Sequence, residues 1–252
     1  GVLSYTYISF NSYNPADPEV EVDQSKLVYF QDSYVNSRTA FQLHAEKLHQ
    51  KFDSVQVFSR QVPGKNDADL TIDFCYIPAQ KEQKKLLILT SGAHGVEGYV
   101  GSAVQQLFMN EILQPELLDE VGALLVHSMN PYGFKYTRRV TENNIDFNRN
   151  CDTNKSLFSS ENTGYNDLYG MLNPKGKVNS GSLRNRFFML VAINKLLQES
   201  MASLRQAILQ GQYEHSKGLY FGGDNFEPQL ALLAKVFKKT SENYETVFNI
   251  DL

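Results

Sequence analysis

The chain has 252 residues, 42% of them hydrophobic and 12% aromatic, which is enough apolar side chain for one large core. Its formal net charge of −4 offers no electrostatic attraction to nucleic acid or to an anionic membrane surface. No apolar run approaches the roughly 18 residues that a spanning helix needs, and Gly1-Val2-Leu3-Ser4 lacks the charged and apolar regions with which a signal peptide is expected to open.

Residues 1–32 carry scattered Pro, Asn and Asp and read as an irregular N-terminal arm. From Ser33 to Phe52 the residues Tyr34, Phe41, Leu43, Ala45, Leu48 and Phe52 recur near the helical period, predicting an amphipathic helix. Ser54–Ser59 and Ala68–Ile77 alternate apolar and polar side chains as strands do, with Pro63-Gly64-Lys65-Asn66-Asp67 turning between them. Cys75 falls in the second of these, and with only Cys151 besides it the chain has no disulfide framework. Both are read as reduced thiols, which points to the cytoplasm. Lys85–Ser91 is a continuous apolar run of the buried-strand kind.

A helix is expected over Tyr99–Leu113, where Gly101, Ser102 and Ala103 leave a slim face for a sheet and Pro115 stops the run. Ala123–Ser128 reads as another buried strand, closed by the turn cluster Met129-Asn130-Pro131-Tyr132-Gly133. Residues 141–181 are rich in Asn, Asp, Ser and Gly and predict long loops with one short helix near Asn166–Leu172. Leu183–Leu209 and Pro228–Ser241 read as helices and Thr246–Leu252 as a final strand. Alternation of strands and helices predicts an α/β fold with a mixed, mostly parallel sheet sandwiched by helices, in one domain over residues 1–252.

The segment that carries chemistry is Ser91-Gly92-Ala93-His94-Gly95-Val96-Glu97-Gly98, directly after the run Leu86-Leu87-Ile88-Leu89-Thr90. On a single helical turn, positions i and i+3 lie on one side, so the His94 imidazole and the Glu97 carboxylate can converge on one cation. A nitrogen–carboxylate pair suits zinc better than magnesium or calcium, and the carboxyl end of a strand is where open α/β sheets place ligands. The competing reading is local: His94 bonding the loop, and Glu97 complementing a helix N-terminus. Downstream, Arg138-Arg139 and Asn144-Ile145-Asp146-Phe147-Asn148-Arg149-Asn150 gather guanidinium and amide groups suited to gripping a carboxylate. Alternatively, the arginines pair with Glu142 and Asp146 at the surface, and the asparagines fix loop backbone.

The order Ser-Gly-x-His-Gly-x-Glu-Gly, Asn-Pro-x-Gly-Phe, Arg-Arg and Asp-Phe-Asn-Arg-Asn resembles the zinc metallocarboxypeptidases. More narrowly, it is similar to a bacterial branch with Gly-Val-Glu-Gly after the first ligand. The resemblance spans residues 33–252 and includes Gly211-Gln212-Tyr213 and Gly218-Leu219-Tyr220-Phe221-Gly222-Gly223. It implies the zinc-carboxypeptidase fold, with His94 and Glu97 as zinc ligands. Arg138 or Arg139 would stabilise an oxyanion, and Asn148 and Arg149 would hold the terminal carboxylate of a peptide or N-acyl amino-acid substrate. The implied reaction is hydrolysis of a C-terminal peptide bond or related amide. A small-molecule deacylase and a non-catalytic carboxylate-binding protein are the alternatives.

The family also uses a later histidine as third ligand and a glutamate as general base. Val247-Phe248-Asn249-Ile250-Asp251-Leu252 looks like the strand that precedes that histidine. The chain is therefore expected to lack the C-terminal part of the fold, and to be inactive by itself. The other histidines offer no substitute: His44 and His49 lie on different faces of a helix, His127 is inside a strand, and His215 is in a polar loop. The aromatics of Gly218–Gly223 are expected to be core rather than a substrate platform.

Overall fold

A computed structural model describes residues 23–176, 190, 193–194 and 200–252. Among these residues five strands form one sheet in the order β1-β2-β4-β3-β5: β1 Gln56–Gln61, β2 Thr71–Ile77, β3 Lys85–Thr90, β4 Val121–His127 and β5 Thr246–Asp251. β2 pairs antiparallel with both β1 and β4, whereas β3 pairs parallel with β4 and β5. Four of the five strands thus point the same way and only β2 runs against them, a mixed sheet with two parallel and two antiparallel pairings.

The strand sequences show why helices cover both faces. Side chains alternate between faces along a strand, and here both alternations are apolar. Cys75, Ile77, Ala123 and Leu125 pack with Phe41, Ala45, Leu48, Met109 and Leu113 on one face. Phe74, Tyr76, Leu124 and Val126 pack with Leu233 and Tyr244 on the other. The first layer comes from helix α1 (Tyr34–Lys47) and from the region following α2 (Gly98–Leu107), which passes through a π turn at Phe108–Ile112. α6 (Pro228–Ser241) supplies the second. Shorter helices α3 (Pro131–Lys135), α4 (Thr163–Leu172) and α5 (Met201–Leu209) fall between α2 and α6 in the sequence. Among the described residues no helix is long and apolar enough to cross a membrane.

Two expectations change. The part of the N-terminal arm that is described is not irregular: Gln24–Tyr29 is a 3-10 helix, begun by the Asp23 carboxylate accepting from Ser25 N–H and tied by Lys26 and Tyr29 to Glu111. Residues 1–22 lie outside the described set, as does most of the Leu183–Leu209 helix, whose last part appears as α5. Within 141–176 the chain makes three helical pieces rather than one, Phe147–Arg149, Lys155–Ser159 and α4, because Asp146, Asn154 and Asn162 each accept a backbone N–H at a helix start.

Parallel pairing decides where the site sits. β3, β4 and β5 end on one edge, and β3 lies between the strand that follows it and the strand that closes the chain. Such a reversal opens a crevice at the carboxyl ends of the strands. Leu252 N–H reaches Thr90 O at 2.9 Å on that edge.

Candidate metal centre

The loop after β3 is laid against the segment after β4. Met129 N–H donates to Ser91 O at 2.9 Å, Asn130 N–H to Gly92 O at 3.0 Å, and Gly95 N–H to Arg138 O at 3.1 Å. Such contact needs glycine. Gly92 sits at φ +68°, and a Cβ on Gly95 would lie 1.8 Å from the carbonyl carbon of Gly133. The Asn130 carboxamide accepts Gly133 N–H at 2.9 Å and so starts α3 while holding this seam. With the loop pinned, Glu97 becomes the residue before α2, one turn beyond His94.

His94 and Glu97 converge as their spacing predicts. His94 Nδ1 lies 2.9 Å from Glu97 Oε2, with the imidazole almost buried and the carboxylate 63% exposed. The other ring nitrogen, Nε2, meets Asp146 Oδ1 at 3.2 Å. Asp146 is fully buried, and a bare carboxylate there would be costly. It is offset by Arg139 Nε at 3.1 Å on Oδ2 and by Asn148 N–H at 3.2 Å on Oδ1. Burial pushes the Asp146 pKa up. The His94 bond and the charges of Arg139, His94 and Arg149 outweigh it and leave the carboxyl below its ordinary value. The same bond to Asp146 raises the His94 imidazole against the opposing effects of burial and Arg139.

This arrangement fits a metal ligand. In neutral His94 the proton belongs on Nε2, facing Asp146, which leaves the Nδ1 lone pair beside Glu97. An imidazole and a carboxylate at zinc bond lengths subtend about 3.4 Å in tetrahedral geometry, so the present 2.9 Å needs only a small opening. Among the described residues no three or more His, Cys, Asp or Glu side chains are grouped to hold a metal. His127 is fully buried, bonded to Ser102 and stacked on Phe41. His215 meets Asn166 at 2.8 Å and the Tyr169 ring. Neither is directed at His94.

The two arginines of the Arg-Arg pair are treated differently. Arg139 joins the cluster through Asp146 and stacks over the Tyr220 ring, 5.9 Å from its centroid. Arg138 is exposed and contributes its backbone, whose carbonyl holds Gly95. Asn148 is also exposed and reaches Asp146 through its N–H. The half-buried Arg149 runs its chain past Gly211, and its Nε is buried without a hydrogen-bond partner among the described residues. Glu142 pairs with none of the arginines; it accepts from Lys65 N–H and Asn66 N–H instead.

One residue takes a role that its spacing does not signal, and two others take a different role from the one expected. Asp146 was visible only as a possible ion-pair partner, yet it links His94 to Arg139. Asn144 and Asn150 were candidates for a grip but are seams: they donate to the carbonyls of Ser216, Gly218, Gly222 and Asn225. These bonds hold the 212–225 loop against the site. In that loop Phe221 is core, as expected, whereas Tyr220 is half-buried beside Arg139.

A family model described as "Protein of unknown function (DUF2817)" matches residues 30–252. No curated protein matches the chain. Among solved structures, carboxypeptidase A from Helicoverpa armigera is similar at 11% identity and a TM-score of 0.47, covering 91% of this chain and 48% of that one. Thrombin activatable fibrinolysis inhibitor is similar at 12% identity and a TM-score of 0.47, covering 93% and 52%. The chain spans about half the length of these structures.

Proposed function

We propose that this chain, which belongs to the DUF2817 family, carries the ligand loop and anion grip of a zinc hydrolase acting on a C-terminal peptide bond or related amide. The observation that carries the reading is the convergence of His94 Nδ1 and Glu97 on one point, with His94 Nε2 held by the buried Asp146. His94 and Glu97 are the proposed protein ligands. Zinc held by them would supply the Lewis acidity that amide hydrolysis near neutral pH requires.

The remaining roles belong to the chain's own residues. Asp146 fixes the ring and tautomer of His94 and keeps its lone pair directed at the ion. Arg139 spends Nε on Asp146 and keeps both η-nitrogens without a partner among the described residues, so a developing oxyanion can take their N–H groups. Arg138, with its exposed side chain, is the secondary candidate for that task. Arg149 and Asn148 are proposed to hold the substrate carboxylate, with the unpartnered Arg149 Nε as the group that gains an acceptor.

The described residues supply two protein donors, whereas catalytic zinc takes three. Zinc binding by this chain is therefore expected to be weak, and hydrolysis of a blocked dipeptide absent unless a further donor is supplied. Calorimetric titration of zinc tests the assignment: binding should fall at least about tenfold in His94→Ala. Zinc binding unchanged in both His94→Ala and Glu97→Ala would show the assignment to be wrong. The second reading, carboxylate binding without catalysis, draws on the orphaned Arg149 Nε. Zinc-independent binding of an N-acyl amino acid, lost in Arg149→Gln, would favour it.

A further inference from the structure

We infer that Tyr220 is a positioning residue whose ring seats the Arg139 guanidinium for binding an oxyanion. This deepens the function proposed above and rests on its assignment of Arg139. Two independent observations carry it.

The first is the backbone. Tyr220 lies at φ +58°, the left-handed region that bulky residues rarely adopt. Its neighbours Gly218, Gly222 and Gly223 show that glycine is used freely in this loop. The conformation is enforced from both sides. Gln212 N–H donates to Tyr220 O at 3.1 Å, Gly222 N–H to Gln212 O at 2.8 Å, and Asp146 N–H to Phe221 O at 2.7 Å. Conformational strain of this kind persists where surrounding structure over-determines it, and it clusters at functional sites.

The second is what the strained residue touches. The Arg139 guanidinium carbon stands 5.9 Å from the Tyr220 ring centroid, within range of a cation–π attraction. Nε of the same guanidinium donates to Asp146. The ring and the carboxylate together restrict a side chain that is 45% exposed and would otherwise sample many rotamers. The bond from Asp146 N–H to Phe221 O ties the residue after Tyr220 to the carboxylate residue that orients both Arg139 and His94. Ring, guanidinium, carboxylate and imidazole thus form one connected set, and the two η-nitrogens of Arg139 are presented in fixed orientation.

Inorganic phosphate, a tetrahedral oxyanion that needs no metal to be held by arginine, is the probe. Binding is measured by calorimetry on the wild-type chain and on Tyr220→Phe, Tyr220→Asn and Arg139→Gln. Asparagine tolerates the left-handed backbone, so Y220N removes the ring with little new strain. Y220F is expected to bind as wild type does. Y220N should bind about two- to fivefold more weakly, the span expected from a partly exposed cation–π contact, with unchanged far-UV circular dichroism. R139Q should lose about tenfold or more.

Equal binding by Y220N and Y220F, with R139Q weakened, overturns the role of Tyr220 and leaves Arg139 as assigned. Unchanged binding in R139Q overturns the anion assignment itself. Should Y220N lose its native dichroism, Tyr220→Leu takes its place, keeping apolar bulk without a π face. Equal binding by Y220L and Y220F then overturns the inference.

Discussion

Acidification should destabilise this chain through His127 in a calculable way. The ring sits fully buried at the end of β4, stacked on Phe41 at 4.9 Å between centroids, with Nε2 3.0 Å from Ser102 Oγ. Burial pushes its pKa from 6.5 down to about 4, against the opposing charge of Asp73. Between those values the unfolded chain binds a proton that the native chain refuses. The contribution is therefore fully present above pH 6.5 and is lost as pH falls toward about 4. At 1.36 kcal/mol per unit, the loss by pH 4.5 is about 2 to 3 kcal/mol. Urea unfolding at several pH values between 7 and 4.5, on wild type and His127→Gln, isolates this group from the titrating carboxylates. The wild-type curve should fall more steeply, by up to about 1.4 kcal/mol per pH unit. Parallel curves for the two proteins would refute the reasoning, whatever constant offset the substitution introduces.

Two further outcomes follow from buried contacts. Asp73 is fully buried and accepts from Arg38 Nε at 2.6 Å, Arg38 Nη2 at 3.0 Å and Gln42 Nε2 at 2.9 Å, with Ser59 as a further donor. Arg38→Ala should cost about 3 to 5 kcal/mol in denaturant unfolding, because the carboxylate stays buried without its cation. Arg38→Ala combined with Asp73→Asn should recover part of that loss. Gly95→Ala forces the His94 loop away from Gly133, where its Cβ would stand 1.8 Å from a backbone carbon. It should cost about 1 to 3 kcal/mol, and with His94 drawn from Asp146 the imidazole pKa, followed by NMR titration, should fall from its raised value.

What the sequence determined by itself is what local spacing can encode. The buried strands read as apolar runs because both of their faces are covered, and β3 and α6 fall where their patterns put them. His94 and Glu97 meet because three residues on one turn of backbone suffice to bring them together. The tertiary structure decided everything that depends on distant segments meeting. Asp146 reaches His94 across 52 residues of chain because β3 and β4 end side by side, and its N–H reaches Phe221 O in the 212–225 loop. The same asparagine-rich stretch reads equally as grip or seam in sequence. Asn144 and Asn150 became seams because folding set loop carbonyls within reach of their amides, whereas Arg149 Nε was left without an acceptor. A carboxamide carries no record of which backbone will lie opposite it; that is fixed by packing.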